Sequence, residues 1–424
     1  MRYCDLTLAY TETSGGIRTY IDQKRRYIDE QTDDEHLLIV PGERDHCERQ
    51  GRLCKIEIES PLIPGCEPYR FFWRPDKIRR ALADQQPDVV ELGSYFLSPW
   101  AAFRYRDERR AEGLPTLVSV YFHTDVAHAY VGAPVRRFFG EGMESVSDTL
   151  ALWGHKLGEI LEDGAESAFG QMFRKCDLTL AATQAQAARV ADYGVQGTEI
   201  VPLGVDLSLF SPERRSAAAR ERLGVAEDDI LLIYCGRLDS EKAVTLLVDV
   251  FERLPAMSRF HLVLVGEGPL RAELEARAGR FGRVHVLPYE KDKSAYATLL
   301  ASADLYVTAG PHETFGLAVV EAEASGLPVV GVDAGALRER VRSDWGRLGP
   351  VGDAGAMVGN ILEILPRCRD MGRAARRHVL EAGYGWDRSF ERLFELYRKG
   401  LSQSADSDPA GSSKRTDPLL SRHQ

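Results

Sequence analysis

Residues 312–330 read HETFGLAVVEAEASGLPVV and connect two strand patterns through one helix pattern. The preceding strand ends at Ala309-Gly310-Pro311, a helix is expected to begin near Phe315, and the next strand begins at Val329. Strands that are joined through a helix lie parallel in one sheet, and strands rich in Val, Ile and Leu are buried on both faces. The segment therefore predicts one unit of a doubly wound parallel sheet.

Short strand patterns alternate with helix patterns along most of the chain, which predicts an α/β protein with parallel sheets. In the first half the predicted strands are Leu6–Tyr10, Leu37–Pro41, Lys55–Glu59, Asp88–Leu92, Leu117–Phe122 and Leu178–Ala182. In the second half they are Ile230–Cys235, His261–Val265, Val284–Leu287, Leu305–Thr308 and Val329–Val332.

The composition favours a soluble, intracellular protein. A chain of 424 residues predicts two domains. The net charge of −10 argues against a nucleic-acid partner, because binding phosphates needs excess cation. No apolar run approaches the ~20 residues that span a bilayer. The seven cysteines include no CxxC pair, which favours reduced thiols over a disulfide scaffold or a zinc site. A strand pattern begins close to Met1 and leaves no room for a signal peptide, so we expect a cytoplasmic location.

A hinge is expected at residues 201–206, where VPLGVD supplies Pro and Gly before a polar helix pattern at Glu213–Leu223. The last amphipathic pattern, about Trp386–Lys399, is followed by a Ser- and Asp-rich segment that lacks core residues. The DxD sequence at 406–408 lies in that segment, where it is expected to be solvated charge. The predicted divisions are an N-terminal domain at 1–204, a C-terminal domain at 205–380, a helix at 381–401 and a disordered tail at 402–424.

Two loops at predicted strand ends have the chemistry of phosphate binding. Gly15 and Gly16 open a helix, where exposed backbone N–H groups attract an anion, although a simple tight turn explains them as well. They do not form a GxGxxG fingerprint. Arg237 and Lys242 lie on a loop that begins at Gly236, and two such cations can reach one diphosphate from two sides. A pair of surface cations is the alternative.

Glu313 precedes the helix of the opening segment and Glu321 lies two turns inside it. Two carboxylates at this spacing suit a polyol, because each accepts two hydroxyl hydrogen bonds. Backbone N–H groups around Phe315–Leu317 are available for a phosphate or a sugar hydroxyl. Glu323 is an alternative to Glu321, and both glutamates could instead face solvent.

Together these residues resemble the retaining glycosyltransferases of family 4. Glu313 and Glu321 are similar to the E-x7-E signature of that family, Gly236-Arg237-Leu238 with Lys242 to its diphosphate loop, and Gly15-Gly16 to its N-terminal glycine loop. The resemblance covers about residues 5–400. It implies the GT-B fold, in which two Rossmann-like domains face each other across a cleft and the last helix crosses back onto the first domain.

The resemblance also implies a role for each matching residue. Arg237, Lys242 and Gly16 would bind the donor diphosphate, and Glu321 the donor ribose. Glu313 and the Phe315, Gly316 and Leu317 backbone would bind the transferred sugar. His123, which follows a first-domain strand, resembles the family histidine near the reacting carbon. Ala243 departs from the family, which usually has glycine after the lysine, so a stiffer loop is expected.

The implied reaction transfers a hexose from a UDP- or GDP-sugar to a lipid or saccharide acceptor with retained anomeric configuration. Neither a metal nor another cofactor is expected, because Arg237 and Lys242 supply the positive charge. The alternatives are a nucleotide-sugar-binding scaffold without catalysis and a nucleotide-sugar epimerase of the same fold. The base, the sugar, the acceptor and the oligomeric state stay open.

Peripheral contact with the inner face of a membrane is a further expectation. Residues 70–74 (RFFWR) and 136–139 (RRFF) interleave aromatic and basic side chains, and such patches bind anionic lipid. The favoured alternative is an ordinary helix surface with buried aromatic rings.

Overall fold

The chain forms two parallel sheets that are covered by helices. The computed structural model describes residues 1–11, 15–63, 68–95, 97–123, 164–255 and 259–406. The eight-stranded sheet defines the N-terminal domain and the six-stranded sheet defines the C-terminal domain.

The N-terminal sheet consists of β1 (Arg2–Leu6), β2 (Glu35–Gly42), β3 (His46–Gln50), β4 (Leu53–Glu59), β5 (Val89–Leu92), β6 (Leu117–Phe122), β7 (Leu178–Ala181) and β8 (Glu199–Ile200). Their order is β3-β4-β2-β1-β5-β6-β7-β8, and only β3 runs antiparallel to its neighbour. The described helices of this domain are α1 (Gly15–Gln31), α2 (Pro75–Gln85), α3 (Ser98–Ala111), α4 (164–173) and α5 (Gln184–Asp192).

The C-terminal sheet consists of β9 (Ile230–Cys235), β10 (Phe260–Val265), β11 (Val284–Leu287), β12 (Leu305–Val307), β13 (Val329–Val332) and β14 (Gly346–Gly349). Its order, β11-β10-β9-β12-β13-β14, is the strand order of a Rossmann domain. Its helices are α6 (Ala217–Glu221), α7 (Val244–Arg253), α8 (Arg271–Ala278), α9 (Lys293–Ser302), α10 (Leu317–Ala324), α11 (Leu337–Arg340), α12 (Ala354–Ile364) and α13 (Cys368–Glu381), with 3-10 turns at Pro212–Arg214 and Leu365–Arg367.

The last helix, α14 (Trp386–Asp406), packs back on the N-terminal domain. Its apolar side chains Phe390, Phe394 and Tyr397 are buried as their spacing predicts. Phe394 stacks on Tyr3 of β1 with ring centroids 4.5 Å apart. A continuous apolar cluster therefore includes residues of both domains and of this helix.

Several elements differ from the sequence expectations. The first strand is Arg2–Leu6 and not Leu6–Tyr10, because the buried Asp5 is paired with Lys24 at 2.8 Å and with His36 at 2.7 Å and so stays inside the strand. The helix expected at Glu213–Leu223 is instead a 3-10 turn followed by α6, which Ser216 caps. The edge strands β3, β8 and β14 were missed. The last helix extends to Asp406, into the segment expected to be disordered, and residues 407–424 lie outside the described part.

The aromatic and basic segment at 70–74 is split between core and surface. Phe72 is buried, whereas Trp73 is 55% exposed. Arg70 pairs with Glu43 and Arg74 with Asp76. Membrane contact through this segment stays a prediction, and residues 136–139 lie outside the described ranges. Among the described helices, none is long and apolar enough to cross a membrane.

The linker between the domains touches the start of α14 through a glycine. The Val205 N–H donates to the Tyr384 carbonyl at 2.8 Å. A Cβ atom on Gly204 would lie 2.5 Å from the Trp386 backbone. Only glycine therefore permits this close approach.

We expect Gly204→Ala to lower the free energy of unfolding by about 1–3 kcal/mol, because the added methyl overpacks the linker against Trp386. Thermal unfolding measures this effect. Gly359→Ala is the matched control, since Gly359 is exposed within α12 and an added Cβ meets nothing within 4 Å. The control should raise stability slightly. Equal melting temperatures for the two variants would contradict the predicted clash.

Candidate active site

The predicted phosphate and carboxylate loops meet where the order of the C-terminal sheet reverses. β9 lies between β10 and β12, so the loops that follow β9 and β12 leave the sheet on opposite sides of a crevice. Arg237 and Lys242 follow β9, and Glu313 follows β12. The carboxyl ends of these two strands therefore bring the two cations close to the carboxylate.

Lys242 and Glu313 form an ion pair across this crevice. The distance between Lys242 Nζ and Glu313 Oε1 is 2.7 Å, and the two side chains are only 16% and 17% exposed. In a partly buried pair of this kind, removal of either partner leaves an uncompensated charge. The lysine predicted to bind phosphate and the glutamate predicted to bind sugar thus lie side by side.

Arg237 is held by two carboxylates of its own loop. Its guanidinium lies 2.5 Å from Asp239 Oδ2 and 2.5 Å from Glu241 Oε2, and its side chain is 57% exposed. Burial alone would raise the pKa of Glu241, but the charge of Arg237 lowers it overall. Sequence reasoning missed Asp239 and Glu241, although both lie between Arg237 and Lys242 in the sequence.

Close backbone contacts fix the shape of this loop. A Cβ atom on Gly266 would lie 1.9 Å from the Gly236 carbonyl oxygen. The two loops can therefore approach only because position 266 has no side chain. Ala243 has φ 47° and ψ 38°, a left-handed conformation that costs a residue with a Cβ atom about 1–2 kcal/mol. Ala243, which replaces the family's usual glycine, thus has a strained backbone conformation.

The start of α10 is built on a buried aromatic ring. Phe315 is buried, and Arg340 lies 4.2 Å above its ring while Arg340 Nε donates to the Phe315 carbonyl at 3.0 Å. Gly316 follows with φ 74°. The Val319 and Val320 N–H groups donate to the Gly316 carbonyl. The N–H groups of Leu317 and Ala318, at the first two helical positions, are therefore the donors available to a ligand.

The two candidate carboxylates inside α10 have different surroundings. Glu321 is partly exposed and accepts a hydrogen bond from the Tyr296 hydroxyl at 2.8 Å. Burial raises the pKa of Glu321 to about 7, although the bond from Tyr296 opposes the shift. Glu323 is 0% exposed and is therefore a core residue near Arg340. The geometry favours Glu321 over Glu323 as the group that faces the crevice.

Gly16 and Leu317 approach each other from opposite domains. A Cβ atom on Gly16 would lie 4.0 Å from Leu317 Cδ2. Gly16 is exposed at the start of α1, and Leu317 begins α10. The first turns of two helices thus face one space, and both turns have N–H groups without helical partners.

His123 lies at the end of β6 between two tyrosine rings. Its ring stacks on Tyr121 with centroids 4.2 Å apart and meets the edge of Tyr20 at 4.9 Å. Burial lowers the pKa of His123 to about 3, and the charge of Lys24 adds to the effect. The imidazole is therefore neutral at physiological pH. Residues 124–163, which include Thr124 and Asp125, lie outside the described ranges.

A buried charged network lies behind the tyrosine that contacts His123. Lys24 Nζ is 2.8 Å from Asp5 and 3.0 Å from Glu91, and all three are buried. Glu91 accepts hydrogen bonds from Tyr20 at 3.0 Å and from Tyr397 of α14. The orientation of Tyr20 is thus fixed by a network that includes the C-terminal helix.

Two family models match this chain. Glycosyltransferase Family 4 matches residues 14–209, and Glycosyl transferases group 1 matches residues 216–378. A GDP-mannose-dependent alpha-(1-6)-phosphatidylinositol dimannoside mannosyltransferase of Mycobacterium tuberculosis is 32% identical over 354 residues, which cover 82% of this chain and 83% of the relative. The chain belongs to the family 4, group 1 glycosyltransferases. It is a hexosyltransferase that uses a nucleotide sugar. This assignment disfavours the two alternatives, a binding scaffold without catalysis and a nucleotide-sugar epimerase.

Other relatives agree on the family and the fold. A D-inositol 3-phosphate glycosyltransferase of Geodermatophilus obscurus is 34% identical over 256 residues, or 55% of each chain. Sucrose-phosphate synthase from Thermosynechococcus elongatus superposes with a TM-score of 0.73 at 19% identity, over 95% of this chain and 99% of that one. Anabaena HepE in complex with UDP and glucose has a TM-score of 0.67 at 17% identity, over 94% and 100%. The fold of this glycosyltransferase is therefore GT-B, as predicted.

Replacing Ala243 with glycine should relieve the strain in the diphosphate loop. We expect Ala243→Gly to raise the free energy of unfolding by about 0.5–1 kcal/mol, the relief of strain less the extra entropy of the unfolded chain. Ala276→Gly is the matched control at an exposed position inside α8 and should lower stability by about 1 kcal/mol. Urea denaturation measures both changes. Equal destabilisation by the two substitutions would refute the assigned strain.

The titration of Glu321 should make nucleotide-sugar binding depend on pH. The ionised carboxylate accepts two hydroxyl hydrogen bonds, whereas its protonated form is a poorer acceptor. With a pKa near 7, affinity should fall about 10-fold from pH 8 to pH 6. Isothermal titration calorimetry measures this affinity at each pH. An intact nucleotide sugar is the suitable ligand, because its diphosphate is esterified at both ends and does not titrate in this range.

Glu321→Gln supplies the control, since an amide does not titrate. The variant should bind the nucleotide sugar with an affinity that changes little between pH 6 and pH 8. The same 10-fold change in the variant would assign the titration to another group.

Proposed function

We propose that this glycosyltransferase moves a hexose from a nucleoside diphosphate sugar to a hydroxyl of a lipid or saccharide acceptor, with retention of anomeric configuration and without a metal ion. The pairing of Lys242 with Glu313 at 2.7 Å, beside Arg237, supports this proposal best. A cation that binds phosphate and a carboxylate that accepts sugar hydroxyls are adjacent there, as the sugar and the diphosphate are adjacent in the donor.

The cations stabilise the leaving group in the proposed reaction. Departure of the diphosphate concentrates negative charge on its oxygens. Arg237, Lys242 and the N–H groups at the starts of α1 and α10 lie around one crevice and favour that charge. Positive side chains in these positions take the part that a metal ion has in other transferases.

Retention follows in this proposal without a covalent intermediate on the protein. Glu313 is tied to Lys242 and acts as a hydrogen-bond acceptor for the sugar. His123 is neutral, so it contacts the sugar through a hydrogen bond and does not supply a proton at neutral pH. A phosphate oxygen of the donor takes the proton of the acceptor hydroxyl.

The relatives suggest which substrates to test first. GDP-mannose is named in the relative that matches 82% of this chain, and inositol occurs in the names of both curated relatives described above. We therefore propose GDP-mannose as the donor and an inositol-containing lipid as the acceptor. We also propose a cytoplasmic location, with access to such a lipid by peripheral contact at the inner face of a membrane.

A nucleotide test measures the donor site separately from the acceptor. In EDTA, GDP at ~100 times its dissociation constant should stabilise the wild-type chain by about 2.7 kcal/mol, and UDP and ADP should give smaller shifts. Arg237→Ala should abolish the shift, because the guanidinium contacts the diphosphate. Arg373→Ala should keep it, since Arg373 is 73% exposed on α13 and pairs with Asp370 of the same helix.

Product analysis then tests the reaction. Incubation of GDP-mannose with an inositol-containing lipid in EDTA should release GDP and yield an α-linked mannoside. Loss of turnover on chelation would contradict the metal-free mechanism, and a β-linked product would contradict retention. Binding of all three nucleotides without release of GDP would favour the scaffold.

A further inference from the structure

One carboxylate of the C-terminal domain is hydrogen-bonded to the N-terminal domain. Glu339 of α11 accepts hydrogen bonds from two backbone N–H groups of the N-terminal domain, Gln184 at 3.1 Å and Ala185 at 2.5 Å. Both belong to the first turn of α5, where N–H groups lack helical partners. The next amide, that of Gln186, donates to the N-cap Thr183. The C-terminal domain thus completes a helix cap of the N-terminal domain.

On its own domain, Glu339 is tied closely to the sugar-binding loop. The Ala336 N–H, just before α11, donates to the Glu313 carbonyl at 2.8 Å. At the other end of α11, Arg340 Nε donates to the Phe315 carbonyl at 3.0 Å. Both ends of this short helix are therefore bonded to the loop that carries Glu313, and a shift of Glu339 displaces that loop.

On the opposite domain, the first turn of α5 is tied to the strand that carries His123. The Gln186 side chain donates to the Phe122 carbonyl at 2.9 Å and accepts from the Ala182 N–H at 2.9 Å. Phe122 is the last residue of β6 and directly precedes His123. Hydrogen bonds and short stretches of backbone thus connect Glu313 with the backbone beside His123, and Glu339 makes the contact between the domains in this series.

We propose that Glu339 is a positioning residue that aligns the Glu313 loop with His123 across the cleft. This inference rests on the proposed function, in which these two residues contact the same sugar. Domains of one chain commonly move relative to each other. The carboxylate at the α5 start opposes that motion with two charge-assisted hydrogen bonds.

The kinetic test separates positioning from donor binding. We expect Glu339→Ala to lower kcat about 10- to 100-fold, because a misplacement near 1 Å suffices for such a loss. The affinity for GDP should change less than 2-fold, since Arg237 and Lys242 are untouched. Glu339→Gln keeps one acceptor oxygen and should recover part of the rate. Glu363→Ala is the matched control, because Glu363 is an exposed carboxylate that pairs with Arg347 inside its own domain.

A second variant removes the same contact from the other domain. Gln184→Pro deletes one donating N–H at the first helical position, where proline is well tolerated. The preceding residue, Thr183, has the extended conformation that proline requires. We expect a lower kcat from this variant alone, and no further loss when it is combined with Glu339→Ala. Fully multiplicative losses would show that the two positions act separately and would overturn the proposal.

Small-angle scattering separates failure of this inference from failure of the proposed function. The radius of gyration of nucleotide-free Glu339→Ala should exceed that of the wild type and of Glu363→Ala. If the wild type transferred no sugar, the proposed function would fail, and the scattering comparison would still decide whether Glu339 holds the domains. An unchanged radius together with an unchanged kcat would overturn the inference. A loss of GDP affinity as large as the loss of kcat would overturn it too.

Discussion

Parallel pairing of β9 with β12 brings together Lys242 and Glu313, which are 71 residues apart in sequence and 2.7 Å apart in space. The crevice between these strands exists because the chain returns to the other side of β9 after β11. Loops on its two sides can therefore supply opposite charges to one point. Each charge is stable in its partly buried position because the other is present. Removing either one would leave the other charge without its partner.

A second buried set of charges orders the opposite wall of the cleft. Lys24, Asp5 and Glu91 are enclosed between β1, β5 and α1, and Tyr20 extends from this set to the ring of His123. Tyr397 enters from the C-terminal helix, 306 residues after Glu91. The return of α14 to the first domain thus completes the support of the histidine. Burial lowers the pKa of His123 and the charge of Lys24 adds to this effect, so the imidazole is available as a neutral hydrogen-bonding group.

The central strands and the loop residues could be predicted from sequence because buried parallel strands are continuous apolar runs. The edge strands could not be predicted in this way. β14 reads Gly-Arg-Leu-Gly and β3 is exposed along its length, so neither contains an apolar run. The first strand was predicted too late in the sequence, because a charged residue such as Asp5 is not expected in a buried strand. Its partners Lys24 and His36 become known only from the structure. The sequence of the helix left Glu321 and Glu323 as alternatives. The structure distinguishes them by burial, because Glu321 is partly exposed and Glu323 is fully buried. Tyr296, Tyr20 and Glu339 carry no local pattern, since their partners depend on packing between distant elements.

The charges of the crevice suit the diphosphate of the proposed donor. Asp239 and Glu241 hold Arg237, and Glu313 holds Lys242, so each cation is already neutralised before any ligand arrives. An incoming anion must compensate for these contacts and cannot gain from bare positive charge alone. A diphosphate carries negative charge on two adjacent groups and can engage Arg237 and Lys242 together. In the proposed function, the attached sugar then offers hydroxyl donors to the Glu313 carboxylate. In the proposed function, the internal ion pairs therefore favour a complete donor. A ligand that carries only the anion or only the sugar would replace fewer of these contacts.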